Sequence, residues 1–233
     1  MSDPVEFRAR RIVRSGRLIM LLGLLGLALV YLLALRFTPM ERFQGLPQKI
    51  FYLHVPAAWC ALLSFSLVGI ASILYLWLRD PRLDLFAESA AEVGLVFSVV
   101  MLTTGPLWGK PVWNTWWTWD ARLTFTLILF FLFLGYKALR GAIQDPGERA
   151  RFSAVVGILG LVLVPFVHLT VYLFRTLHPQ PIVLKPSAPS LPWVMLRTLL
   201  ASLGVYAVLL IGFLMTRYGL ASAAHLEGGN DAR

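Results

Sequence analysis

Five of the eight tryptophans, Trp108, Trp113, Trp116, Trp117 and Trp119, fall within twelve residues of one another. Membrane interfaces attract single Trp rings, but an interfacial belt does not require five in one link. Aromatic faces grouped with Pro106, Gly109 and Pro111 make a broad, flat, apolar platform suited to a planar ligand such as a porphyrin. Two imidazoles accompany it: His54 lies just before Pro56, and His178 lies between Leu177 and Pro179. Imidazole is a common ligand of haem iron, and two axial histidines would hold the iron without a covalent link to the porphyrin. Cys60 is the only cysteine and sits in an apolar run, so there is no C-x-x-C-H for covalent attachment. Any haem here is expected to be haem b, held non-covalently. Asp120 opens an apolar run and reads as a helix N-cap. Arg122 has three open partners: Asp120, a lipid phosphate or a haem propionate.

These residues must be placed by elements that live in lipid. Hydrophobic residues make up 58% of the 233, charged residues 14%, and mean hydropathy is +0.72. Soluble domains approach a quarter charged. A bilayer-crossing helix needs roughly 20 mostly apolar residues, and six stretches qualify, near 17–36, 55–78, 86–107, 122–139, 152–174 and 193–216. The fold expected is all-α, a single six-span membrane domain over 1–233 with no internal repeat. The first span follows Arg8, Arg10, Arg11, Arg14 and Arg17. No small-residue cleavage site follows it, so it reads as a retained anchor.

The net charge of +9 would suggest nucleic acid in a soluble protein, but the basic residues lie mainly in short segments between apolar runs. There they set topology, and nucleic acid is discarded as a partner. Thirteen Lys and Arg fall on one set of links and seven on the other, with Arg197 inside the last span. The positive-inside rule puts both termini, and the tail 218–233, in the cytoplasm. Residues 37–54, the Trp-rich loop 108–121 and 175–192 then face outward, while Arg79-Asp80-Pro81-Arg82 and Gln144-Asp145-Pro146-Gly147 are inner turns.

The remaining ionisable groups carry less. His168 is six residues inside the end of span five, about 9 Å below the interface, and is expected to be buried in the bundle, with Pro165 freeing a carbonyl nearby. Arg197 is either a snorkelling cation or a second propionate anchor. Glu88 and Glu92, one turn apart near the inner end of span three, read as packing against another helix or a subunit. His225 is assigned no role. No nucleophile–base set or phosphate loop appears, which excludes an ATPase role for this chain alone.

Trp108-Gly109-Lys110-Pro111, followed by Trp116-Trp117-Thr118-Trp119-Asp120-Ala121-Arg122-Leu123-Thr124, resembles the Trp-rich signature, the WWD motif, of the haem-handling membrane proteins of cytochrome c biogenesis. His54-Val55-Pro56-Ala57-Ala58-Trp59 and Arg175-Thr176-Leu177-His178 resemble the two histidine motifs of one branch, the C component of the cytochrome c maturation system. The resemblance runs over roughly 40–215. Asn114 stands where Gly is expected, Phe125-Thr126 replaces a more polar pair, and Leu173-Phe174 replaces a Trp pair.

The resemblance implies a haem holder of the bacterial cytoplasmic (inner) membrane, multi-pass, with its site on the periplasmic side. His54 and His178 would be axial ligands; Trp108, Trp113, Trp116, Trp117, Trp119, Asp120 and Arg122 would complete the site. It also implies transfer of haem to a periplasmic haem chaperone, beside a small single-span subunit and the ATPase and permease subunits of an ABC transporter, with membrane lipid around them. A transfer protein is expected rather than an enzyme, with a possible part in promoting attachment of haem to the chaperone. Two alternatives stay open on the residues: a membrane cytochrome c synthetase acting on apocytochrome itself, against which stand the short outer loops, and a structural subunit without haem.

Overall fold

The computed structural model describes residues 4–183 and 185–231, in six long helices. They are α1 (Pro4–Arg36), α2 (Phe51–Leu78, preceded by a 3-10 turn at Leu46–Ile50), α3 (Pro81–Trp113), α4 (Ala121–Ala142), α5 (Pro146–Leu173) and α6 (Trp193–Asp231). All six are long and apolar enough to cross a membrane. There is no strand among the described residues, only an isolated bridge between Glu41 and Gly45. In lipid this follows from the backbone, whose polar groups must be satisfied within each segment.

Side-chain caps set the helix starts. The carboxylate of Asp80 accepts from the Arg82 amide at 2.9 Å, with Pro81 as first helical residue. That of Asp145 accepts from Glu148 N at 2.7 Å, with Pro146 following. Proline there has no amide to leave unpaired and a preset φ. Arg79, at φ 56°, ends α2 in the left-handed conformation, so the α2–α3 link is very short.

Apolar burial gives little drive between helices in lipid, so close approach comes from small residues. α2 and α3 meet through Ala57, Ala61 and Ser64 on one side and Ala87, Ala90, Ala91 and Gly94 on the other, all buried. α5 joins this pair at Gly157, where a Cβ would lie 3.1 Å from Val68 Cγ1 of α2, and meets α4 at Gly160, where one would lie 2.6 Å from the Phe133 ring. Phe133 stacks on Phe65 of α2 with centroids 3.9 Å apart. α1 packs mainly on α6, antiparallel and backbone to backbone: a Cβ on Gly16 would meet Thr216 N at 2.7 Å, and one on Gly212 would meet Met20 Cα at 2.8 Å.

The start of α1 and the end of α6 thus lie together, Ala9 and Val13 beside Gly219. At this basic end α3, α4 and α6 share an ion-pair network. Arg140 donates to Asp84 at 2.6 and 2.9 Å and to Glu88 at 2.9 Å. Lys137 bridges Glu88 and Glu92 at 2.7 and 2.6 Å, and Arg217 also pairs with Glu92. The two glutamates of span three therefore pack against cations of neighbouring helices.

Candidate functional site

At the opposite end three connecting segments converge. Residues 37–45 are held by the Glu41 carboxylate, which accepts from Phe43 N at 2.9 Å and Gln44 N at 2.7 Å. Gly45 takes a positive φ of 60°, which glycine adopts without strain. Lys49 donates to the carbonyls of Thr38 and Pro39, tying this segment to the start of α2. Residues 174–183 and 185–192 fold back over the same place, with Ile182, Val183 and Leu191 packed around Phe51, Tyr52 and Leu199.

His54 lies in the first turn of α2, because the helix begins at Phe51. Its Nδ1 is 3.0 Å from the Thr104 hydroxyl of α3. The Trp108 ring stands edge-on to it, with centroids 5.9 Å apart, while Trp108 Nε1 donates to Gln44 Oε1 at 3.0 Å. Trp108 therefore walls the His54 ring and braces the 37–45 segment.

Trp113 is the last residue of α3, which runs through Pro106 and Pro111 to a left-handed cap at Asn114. The first two tryptophans are thus helical, and only 114–120 is irregular. The position where glycine was expected carries φ 57°, and asparagine tolerates it better than most residues. Trp113 stands edge-on to the His178 ring at 5.3 Å. Each candidate imidazole accordingly has its own indole neighbour.

Trp117 and Trp119 form an edge-to-face pair at 5.9 Å. Trp119 is 76% exposed and Trp116 58%, whereas Trp117 is half-buried with its Nε1 unpartnered. Asp120 caps α4, accepting from Leu123 N at 3.0 Å through one oxygen. Its other oxygen accepts from Thr118 Oγ1 and from Leu177 N, both at 3.3 Å. Asp120 thereby couples the Trp segment to the residue before His178. Its carboxylate faces amides and a hydroxyl, so its place in the site is that of a brace.

Arg122, in the first turn of α4, makes no side-chain hydrogen bond or ion pair among the described residues. It lies within electrostatic reach of His54, His168 and His178. His178 is half-buried and its Nδ1 has no partner. Burial first, then the cations of Arg122 and of a protonated His54, hold its imidazole down at about 4 against an ordinary 6.5, with Asp120 pulling weakly the other way. Neutral imidazole is the form that ligates iron.

A folded histidine with a depressed value resists protonation while the unfolded chain accepts it. The haem-free protein is therefore expected to lose stability as pH falls from about 6.5 towards about 4. The His178 resonance should titrate near the lower figure when followed by NMR with His178→Gln as the assignment control. Titration near 6.5 would contradict the buried placement.

Two further residues differ from their expected surroundings or stand apart. His168 is exposed on α5, not buried in the bundle. The stripe Gly157, Gly160, Val167 and Thr170 takes the inward face of α5, and His168, one step round from Val167, falls off it. Arg197, in the second turn of α6, is exposed and is not drawn into the site. Among the described residues no group of three or more His, Cys, Asp or Glu could hold a metal ion directly.

The residues present fit a haem. They supply two imidazoles with unpartnered ring nitrogens, an unpaired guanidinium suited to a propionate, an orphaned indole N–H and aromatic walls. Thr104 was not singled out from the sequence; its place one turn before Trp108 in an apolar helix is the only signal it carries.

A family model described as heme exporter protein C matches residues 3–224. The chain is similar to the heme exporter protein C of Bradyrhizobium diazoefficiens, 40% identical over 153 residues, covering 66% of this chain and 58% of that one. Its counterpart in Haemophilus influenzae is 36% identical over 197 residues, covering 84% and 79%. The one in Escherichia coli K12 is 38% identical over 142 residues, covering 61% and 58%. The match thus spans somewhat over half the length of two of these relatives and about four-fifths of the third.

Proposed function

The chain belongs to the heme exporter protein C family, and from that premise we propose that this multi-pass membrane protein binds haem b non-covalently between His54 and His178 and passes it on. One observation carries the reading. The two imidazoles, from α2 and from the 174–192 segment, each stand against a tryptophan of α3 and both lie within reach of the unpaired Arg122. The haem would bring the iron and the porphyrin face; the chain binds, orients and shields it. Arg122 would supply the charge to neutralise a propionate and Trp117 an apolar face for the porphyrin, while Asp120 holds the His178 segment through Leu177 N.

The reading extends to the bacterial inner membrane, with the basic end in the cytoplasm and the site on the periplasmic side, as the charge asymmetry supports. Its outlet is a periplasmic haem chaperone. The exposed faces of Trp116 and Trp119 support a haem edge open to that partner. A small one-span subunit and an ABC transporter pair complete the assembly. The role is transfer, not catalysis.

The test is an optical and resonance Raman spectrum of the full chain purified in detergent from haem-replete cells. A b-type, six-coordinate bis-histidine spectrum, with haem extractable by acid acetone, is expected. Protein that is haem-free and cannot be reconstituted would falsify the reading. Thioether product formed on co-expression with an apocytochrome and no chaperone would replace transfer by synthesis.

A further inference from the structure

The Thr104 hydroxyl has one proton, and its geometry commits that proton. It lies 2.7 Å from the Val100 carbonyl, one turn back on α3, and 3.3 Å from that of Met101. Both carbonyls only accept. With the hydroxyl proton on the Val100 carbonyl, the same oxygen accepts from His54 Nδ1 at 3.0 Å; the Met101 carbonyl, which also bonds the ring, can only accept, so both partners favour a proton on Nδ1. The next residue, Gly105, lets the ring come this close: a Cβ there would lie 3.2 Å from His54 Cε1 and 3.7 Å from Nδ1. The Cε1–Nδ1 edge is thus turned to α3, which leaves Nε2 as the nitrogen for a ligand.

We propose that Thr104, with Gly105 beside it, is a positioning residue that fixes His54 as the Nδ1–H tautomer and so presents Nε2 as the free donor to iron. The inference deepens the haem reading and rests on it for the identity of the ligand. An imidazole whose far nitrogen donates to an oxygen is a more basic ligand with a fixed ring orientation, and loss of such a partner typically costs roughly 10–100-fold in metal affinity. A stronger donor also favours the ferric state, so losing the bond should raise the reduction potential.

The experiment uses the full-length chain in lipid nanodiscs with 15N-labelled histidine. In the haem-free protein the His54 signal, assigned by its loss in His54→Ala, is expected to show a protonated Nδ1 and a bare Nε2. Thr104→Val and Thr104→Ala should each shift that population towards the other tautomer, and Thr104→Ser should retain it. With haem added, the Val and Ala variants should bind roughly 10–100-fold more weakly and at a higher potential, with Thr104→Ser restoring both. A merely structural role would not move the tautomer or the potential. His54 signals unchanged in both Thr104→Val and Thr104→Ala would overturn the proposal. If the tautomer responds while no form binds haem, the haem reading fails and the seat of His54 stands.

Discussion

Replacing His54 and His178 together with Ala is expected to leave a folded membrane protein that retains no haem. Neither side chain anchors the fold: His54 bonds only to α3, through Thr104 and the Met101 carbonyl, and the His178 Nδ1 has no partner. Their loss removes both candidate axial donors while the α2–α3 seam of alanines stays intact. Each single variant should weaken haem binding by more than the roughly 10–100-fold that follows loss of a ligand's supporting partner. It should also convert a six-coordinate spectrum into a five-coordinate one. The two singles should not be equivalent. His54 is set in a helix against Thr104 and Trp108, whereas His178 sits in an irregular segment held through Asp120 and Leu177. Haem held by His178 alone should dissociate faster than haem held by His54 alone. Soret titration and stopped-flow transfer to apomyoglobin measure both quantities; a double variant with the parent's low-spin spectrum would move the ligands elsewhere.

The largest stability effect is expected far from that site, at Arg140. The residue is 5% exposed and meets Asp84 through both terminal nitrogens, with Glu88 as second partner. Arg140→Met leaves the Asp84 carboxylate partly buried without its cation, and Glu88 with Lys137 as its remaining partner. Breaking one partner out of such a set costs about 3–5 kcal/mol, whereas replacing the whole set by neutral groups is often neutral or better. The triple variant Arg140→Met, Asp84→Asn, Glu88→Gln should thus recover most of the loss. Direct α3–α4 packing is otherwise light, so the network is a main tie between two helices joined at their other ends by the Trp segment. Thermal unfolding of the two variants in the same detergent decides it. An Arg140→Met protein as stable as the parent would show that α4 is held by its apolar packing on α5 and α2.

Much of this was legible along the chain, and the reason is that the signals are local. Six apolar runs long enough for a bilayer, basic residues biased to alternate links, Asp80-Pro81 and Asp145-Pro146 as helix starts and Asp120 as an N-cap each depend on a few neighbouring residues. So does the dense run of tryptophans, whose pattern pointed to the family. Local signals did not extend to facing. α5 is apolar all round, with no polar stripe to tell which side is buried; only packing along Gly157 and Gly160 turned His168 outward. The apolar run placed the end of span three near 107 and the Trp-rich loop at 108–121, yet the helix continues through Trp113.

What the sequence by itself determined was the inventory: an all-α, six-helix membrane protein with two histidines and a Trp-rich segment on the same side. The tertiary structure alone decided which groups meet. It set Thr104 beside His54 across fifty residues, Asp120 beside Leu177 across fifty-seven, and Arg140 beside Asp84 across fifty-six. Those pairings depend on the rotation of each helix about its axis. Hydropathy cannot specify that rotation in lipid, because it is chosen by small-residue contacts and polar partners on other helices.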